Sequence, residues 1–338
     1  MTSRNAMRTL QTVIAGSLFL IPVGAQAGDF SYQTINNPAD LTFNQLLGIN
    51  NAGTIAGYFG NGTTNPNKGY TLAPPYGSGN YTNENFPGSV QTQVVGINNS
   101  GLTVGFYADA LPGVNNYGFV DNSGTFTKVV DPSTPTVGTQ VNQLLGVNDH
   151  NVAAGFYTDA GGNNHGYLYN IGSKGFTPIT LSGSGATSAT ATDINNNGIV
   201  SGFYTNAGGQ ILGFVDNYKT GHFISFEAPG STNTMFFGLN NEDQVVGSFV
   251  DSSGFNEGIL YNFDNGKFET VNDPNAVPAN GGTILNGIND KDQMVGFYVD
   301  AAGNTDGLLV ATPEPASLGL MVLGLGAALS FAVRRRKA

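Results

Sequence analysis

Leu46-Leu47-Gly48-Ile49-Asn50-Asn51-Ala52-Gly53-Thr54-Ile55-Ala56-Gly57-Tyr58-Phe59 decides the fold. It reads as a strand, a tight polar turn and a second strand. Its first five residues recur five more times: Val94-Val95-Gly96-Ile97-Asn98, Leu144-Leu145-Gly146-Val147-Asn148, Ala191-Thr192-Asp193-Ile194-Asn195, Phe236-Phe237-Gly238-Leu239-Asn240 and Leu285-Asn286-Gly287-Ile288-Asn289. The final asparagines stand about 45 to 50 residues apart, the period of a four-stranded propeller blade.

Each copy continues in the same order. The polar turn, such as Asn51-Ala52-Gly53 or Asn196-Asn197-Gly198, suits a hairpin. A second strand follows, as in Val104-Gly105-Phe106-Tyr107, then a second turn such as Asp159-Ala160-Gly161-Gly162. The third strand opens at a glycine: Gly69-Tyr70, Gly118-Phe119, Gly166-Tyr167, Gly213-Phe214, Gly258-Ile259 and Gly307-Leu308. The fourth carries an aromatic near its start and usually ends at a proline, over 126–132, 223–229 and 268–274; the copy over 176–181 departs, with no proline at that end. The last copy stops after its third strand, 307–310, and a matching fourth strand stands instead at the start of the body, 30–38.

The expectation is therefore an all-β fold: a six-bladed β-propeller of four-stranded blades, the ring closed by the N-terminal strand. Gly48, Gly57 and their equivalents are expected at crowded blade-to-blade contacts. The aromatics Tyr58, Phe106, Phe156, Phe203, Phe249 and Phe297 are expected to fill the inter-blade layers. The regular period separates this reading from a β-sandwich.

Both ends of the chain read as targeting segments. Arg4 and Arg8 precede an apolar run over 13–23, and Ala25-Gln26-Ala27 has the form of a signal peptidase site. At the other end, Pro313-Glu314-Pro315 precedes an apolar run over 318–333 and then Arg334-Arg335-Arg336-Lys337. The apolar run is near the lower limit for one membrane span, and the basic end belongs on the cytoplasmic side. This order resembles the PEP-CTERM sorting signal of Gram-negative bacteria. The resemblance implies export, transient inner-membrane anchoring by a single helix, and processing by an exosortase near Pro313-Glu314-Pro315. Release to the cell surface or extracellular matrix would follow. The division is thus a signal peptide over 1–27, a propeller over 28–312, and a sorting segment with membrane helix and basic tail over 313–338. The sorting residues are Ala27, Pro313, Glu314, Pro315, Arg334, Arg335 and Arg336.

The body has no Cys, no Trp and no Arg, and its acidic residues outnumber its six lysines several-fold; the whole chain carries a formal charge of -11. A disulfide framework and cysteine chemistry are excluded. Strong acidity argues against nucleic acid or anionic lipid as partner, leaving the C-terminal helix as the membrane contact. The units resemble bacterial extracellular HAF-type repeats: Gly-Ile-Asn, a turn, Val-Gly-aromatic, then His-Ala-Phe. Only His165-Gly166-Tyr167 keeps the histidine of the third element. That resemblance implies an exported propeller-like array and no particular chemistry.

No residue pattern assigns a catalytic, metal or cofactor site. His150, His165 and His222 occupy three different repeat positions, whereas metal ligands must converge. Asp109, Asp159, Asp251 and Asp300, with Asn206 in copy four, recur at the second turn, where Asx-turns are expected and calcium binding is the alternative. Asp193 and Glu227 break the repeat and read as drift. Tyr76, Tyr81 and Tyr117 are candidate platforms for sugars. Lack of Trp and Arg excludes a sialidase-like propeller. The expected function is a non-catalytic surface or extracellular-matrix protein with an exopolysaccharide- or biofilm-associated binding or structural role. Its export partners would be signal peptidase and exosortase, with extracellular polysaccharide as a possible ligand. The alternative is a polysaccharide-acting hydrolase or lyase on the same scaffold.

Overall fold

The first repeat folds as its pattern requires. In the computed structural model, which describes residues 30–110 and 115–312, strands Asn44–Ile49, Ile55–Phe59, Lys68–Leu72 and Tyr81–Asn83 form one antiparallel sheet in chain order. The second repeat repeats this with Gln91–Ile97, Thr103–Ala108, Tyr117–Asn122 and Thr125–Val129. The third uses Asn142–Val147, Val152–Thr158, Asn164–Asn170 and Gly175–Pro178. The fourth and fifth repeats also give four strands each, and a single parallel bridge, Ile211 to Asn233, joins them into one eight-stranded sheet. The last sheet holds Thr283–Ile288, Gln293–Val299 and Thr305–Ala311, with Ser31–Thr34 on its outer edge. Ser31 lies opposite Ala311, and Thr34 opposite Leu308. The fold is all-β, propeller-like, and built from four-stranded antiparallel sheets.

Every first strand has a bulge where the repeat places its glycine: between Leu46 and Gly48, and at the five equivalent positions. A bulge bends the strand and raises its twist. The glycine is required by close approach: a Cβ on Gly48 would lie 2.6 Å from the Val95 carbonyl oxygen, and one on Gly238 2.6 Å from Gly287 Cα. First strands of successive sheets thus pack backbone to backbone.

The layers between sheets are filled differently from the sequence expectation. Tyr70, Phe119, Tyr167, Phe214, Ile259 and Leu308, each from a third strand, are essentially buried. Gly57, Gly105 and Gly202 make room for the Tyr70, Phe119 and Phe214 rings; a Cβ on Gly105 would stand 3.0 Å from the Phe119 ring. Side chains alternate across a strand, so the residue after the glycine faces the other way. Phe106, Phe156 and Phe203 consequently line a central cavity rather than an inter-sheet layer. Phe249 lies one place further along its strand than the others, because Ser248 follows Gly247; it joins a buried apolar cluster with Phe236 and Tyr261.

The connections between repeats share a device. The residue two places before the first-strand Leu or Val position caps the preceding linker: Asn44 Oδ1 accepts from Asn37 N–H at 2.8 Å, Thr92 Oγ1 from Phe86 N–H at 3.1 Å, Thr234 Oγ1 from Ala228 N–H at 2.9 Å and Thr283 Oγ1 from Asp273 N–H at 3.1 Å. Copy four has Ala189 at this position and cannot do so.

Candidate functional site

The asparagine that ends each Gly-Ile-Asn segment has two jobs. Its Oδ1 accepts two backbone N–H groups of its own turn: for Asn50, those of Ala52 at 3.0 Å and Thr54 at 2.9 Å. Asn98, Asn148, Asn195, Asn240 and Asn289 do the same. Its Nδ2 donates across the seam to the carbonyl oxygen of the next asparagine. Asn50 donates to Asn98 at 3.1 Å, Asn98 to Asn148 at 3.2 Å, Asn148 to Asn195 at 3.0 Å, Asn195 to Asn240 at 3.0 Å and Asn240 to Asn289 at 3.3 Å. Asn289 then donates to Asn50 at 2.9 Å.

The following residues make a second series. The backbone N–H of Asn51 meets Asn99 Oδ1, Asn99 meets Asp149, Asp149 meets Asn196, Asn196 meets Asn241, Asn241 meets Asp290, and Asp290 meets Asn51, all at 2.8–2.9 Å. Amide donors flank both carboxylates: Asn99 and Asn196 for Asp149, Asn241 and Asn51 for Asp290. Partial burial raises these two pKa values, but the hydrogen bonds outweigh it and hold both below the usual range. The two series form a collar whose polar groups are largely spoken for by neighbours.

Within the collar lies a cavity of about 410 Å³ lined by the first strands of all six repeats. Towards its other end, first and second strands present cross-strand pairs: Gln93 opposite Phe106, Gln143 opposite Phe156, Thr190 opposite Phe203. Phe237 meets Phe203 edge-on at 6.1 Å. Among the described residues, the Gln93 and Gln143 amides have no hydrogen-bond partner in the chain, whereas Gln45 Oε1 accepts from the Tyr58 hydroxyl at 2.7 Å. This end of the cavity therefore offers unspent amides beside aromatic rings.

Asp193 is more than drift. It takes the bulge position that is glycine in the other repeats and lies in the cavity wall. Its Oδ1 accepts from its neighbour Ile194 N–H at 2.8 Å, and its Oδ2 from Leu239 N–H of the next repeat at 3.0 Å. Burial pushes its pKa up to about 7 against those two hydrogen bonds. Beside it, Thr192 Oγ1 donates to the Phe236 carbonyl at 3.0 Å. The seam between repeats four and five is thus stapled by side chains. Glu227 stands just after strand His222–Phe226, away from the cavity lining.

The second turns are Asx-turns as the sequence reading expects. Oδ1 of Asp159, Asp251 and Asp300 each accepts two backbone N–H bonds at 2.8–2.9 Å, and Asn206 accepts at 2.9 and 3.1 Å. The turn after Asp109 runs into 111–114, outside the described residues. His165 Nε2 pairs with Asp159 Oδ2 at 2.8 Å and its ring stacks on Tyr157. That hydrogen bond, with those from Asn163 and Gly161, lowers the Asp159 pKa to about 2. His150 sits in a first turn and His222 on a fourth strand, and no three His, Asp or Glu residues among those described gather as a metal site.

The tyrosine platforms need correction. Tyr117 is buried beneath the Lys128 ammonium, 3.3 Å from its ring centre. Tyr76 and Tyr81 are half-buried against the first repeat's core, where Tyr76 donates to the Gly53 carbonyl and Tyr81 packs edge-on to Tyr70. These rings are absorbed by packing. The glutamines went unnoticed in the sequence, although Gln45, Gln93 and Gln143 share one repeat position in three successive copies.

Ala27, Pro313, Glu314, Pro315, Arg334, Arg335 and Arg336, the signal peptide over 1–27 and the expected membrane helix over 318–333 lie outside the described residues. No helix among the described residues is long and apolar enough to cross a membrane. What the structure does place is where the body's ends leave it. Ala311 pairs with both Ser31 and Gln293, and Gln293 follows the turn headed by Asn289. Both ends therefore emerge on the collar side.

The tail is a PEP-CTERM protein-sorting motif. The match spans residues 311–337, so the motif begins on the last strand itself. The chain is accordingly an exported protein, sorted through the membrane to the cell surface. No curated protein matches it by sequence. Among solved structures, a protein described as TolB from Agrobacterium tumefaciens is similar at 13% identity and a TM-score of 0.52, over 72% of this chain and 89% of that one. TolB from Acinetobacter baumannii is similar at 12% identity and a TM-score of 0.47, over 84% of this chain and 64% of that one. At 13% identity the first likeness speaks to an all-β, propeller-like fold and to nothing of function.

Proposed function

We propose that this chain is a six-bladed β-propeller, closed by its N-terminal strand, that acts after sorting as a non-catalytic binding scaffold in the extracellular polysaccharide of a Gram-negative biofilm. One observation carries the reading: the collar hydrogen bonds run from repeat to repeat and return to Asn50, while the far end of the same cavity keeps unpartnered glutamine amides beside phenyl rings. A rigid, pre-formed cavity with a few unspent polar groups is the usual form of a binding site.

The route to the surface follows from the two ends. Signal peptidase cuts after Ala27. The apolar run over 318–333 holds the protein in the inner membrane, with Arg334, Arg335 and Arg336 on the cytoplasmic side. Exosortase then acts near Pro313-Glu314-Pro315. Because both ends leave on the collar side, the anchored propeller would turn its collar to the membrane and its glutamine mouth outward. A cut after Thr312 leaves the pairing of Ser31 with Ala311 intact.

A second reading, a polysaccharide-acting hydrolase or lyase, draws on Asp193, whose pKa of about 7 suits a general acid. Glycoside hydrolysis ordinarily uses two carboxylates, and the others that line the cavity, Asp149 and Asp290, are held by the collar. The scaffold reading is therefore preferred. Incubating the protein with matrix polysaccharide from its host separates the two. Retention on the matrix without release of shorter chains supports the scaffold; release that stops in Asp193→Asn makes the protein an enzyme; absence of retention and release alike overturns both.

A further inference from the structure

The wall of the central cavity is shared with a second, smaller pocket. This side pocket, about 220 Å³, is lined by Asn67, Gln91, Tyr107 and Asn116 together with Gln93 and Phe106, which also line the central cavity. Asn67 is 7% exposed, and its Oδ1 has no hydrogen-bond partner. That oxygen is sealed within the pocket wall, out of reach of a ligand atom, and its lack of a partner is a cost to the fold. Gln91 is spent holding the pocket's rim: its Oε1 accepts from Asn67 N–H at 3.3 Å and its Nε2 donates to the Gly62 carbonyl at 3.2 Å. Gln93 and Asn116 keep their amides free among the described residues.

The lining defines the ligand chemistry. An amide presents a donor and an acceptor side by side, the complement of neighbouring hydroxyl groups. A phenyl ring accepts an apolar face of C–H groups. No side chain lining the side pocket is charged, and the central cavity adds only aspartates to its uncharged residues. Such walls favour an uncharged ligand and repel an anionic one.

We infer that Gln93 and Phe106 form the junction of a two-pocket site for a neutral oligosaccharide, one sugar ring resting on Phe106 and its hydroxyls engaging the Gln93 and Asn116 amides. This inference rests on the binding-scaffold reading and names its ligand class. Gln93 marks the site, because the fold leaves its amide unspent.

The test uses the full chain in a detergent without a sugar headgroup. Neutral hexose oligosaccharides and uronate-containing oligosaccharides of equal length are titrated by calorimetry, and retention on host matrix is measured alongside. The neutral series binds, the uronate series binds more weakly, and Gln93→Ala lowers affinity about tenfold, equivalent to about 1.4 kcal/mol. Phe106→Ala lowers it at least as much. Gln93→Ala melts at the wild-type temperature, so its effect is read without a folding loss even where Phe106→Ala is unstable. Tighter binding of uronates, no binding of either series, or wild-type affinity in Gln93→Ala overturns the inference. If matrix retention persists in those cases, the scaffold reading stands and only this site is wrong; if retention is absent as well, both fall.

Discussion

Asn289 donates its Nδ2–H to the backbone carbonyl of Asn50 at 2.9 Å, joining residues 239 apart in the chain. The same side chain, through Oδ1, holds its own turn by accepting from Lys291 and Gln293 N–H groups. One residue type thus closes a hairpin and links two sheets, which explains why the position is Asn in all six copies. Aspartate can replace the turn acceptor but not the donor.

The first prediction separates those two jobs. Asn148→Asp keeps the bonds from His150 and Val152 but puts an acceptor against the Asn195 carbonyl; Asn148→Ala loses all three bonds. Each buried group left unpaired costs about 1–3 kcal/mol. Urea unfolding should place Asn148→Asp about 2 kcal/mol below wild type and Asn148→Ala lower still. Equal stability of Asn148→Asp and wild type would mean the cross-seam bond is dispensable.

Glycine packing gives the second. A Cβ on Gly247 would lie 1.9 Å from the Met235 carbonyl oxygen, whereas one on Gly172 meets nothing closer than 3.6 Å. Gly247→Ala should lose about 3 kcal/mol or more by overpacking, and Gly172→Ala should be close to neutral. Thermal melts of the two variants decide this, and similar shifts in both would contradict it.

Asp193 gives the third. Its folded-state pKa, about 7, lies above the ordinary 3.8. The folded protein therefore holds this proton more tightly than the unfolded chain does. The associated stability is full below about pH 4, is lost as pH rises to 7, and changes no further above that. Asp193→Gly, which restores the repeat residue, should flatten the fall in melting temperature between pH 4 and 7. A fall of the same steepness in the variant would place the titrating group elsewhere.

Asp159 is shifted in the opposite sense. The hydrogen bond from His165 is the largest influence holding Asp159 near 2, so His165→Ala should raise that carboxyl towards 3.8. Carboxyl carbon chemical shifts followed from pH 5 to pH 1.5 would reveal the change. An unmoved titration would assign the shift to the turn N–H groups of Gly161 and Asn163 alone.

Much of the fold was legible because its signals are local. The Gly-Ile-Asn segment, the turn and the Val-Gly-aromatic strand carry their own backbone requirements, so strand order and the all-β class could be read directly. The sorting motif was legible for the same reason, as three elements in fixed order. Side-chain direction was less accessible. Phe106 and Phe249 look equivalent in sequence, yet one residue of register sends Phe106 to the cavity and Phe249 to a buried cluster. Asp193 looked like drift because its partner, Leu239, belongs to the next repeat. Gln93 escaped notice because a free amide leaves no mark in a sequence; its significance comes from what surrounds it.

The proposed closure of the ring by the N-terminal strand can be tested on one bond. The chain has no cysteine, so a Ser31→Cys, Ala311→Cys double variant introduces one defined pair. These residues face each other across antiparallel strands, where Cα separations of about 4.5–5.5 Å suit a disulfide. After mild oxidation, intact mass spectrometry should find a monomer two mass units lighter, with one peptide bridging the two ends, and a raised melting temperature. Free thiols, or bridges formed only between molecules, would mean that the first strand does not complete the last sheet.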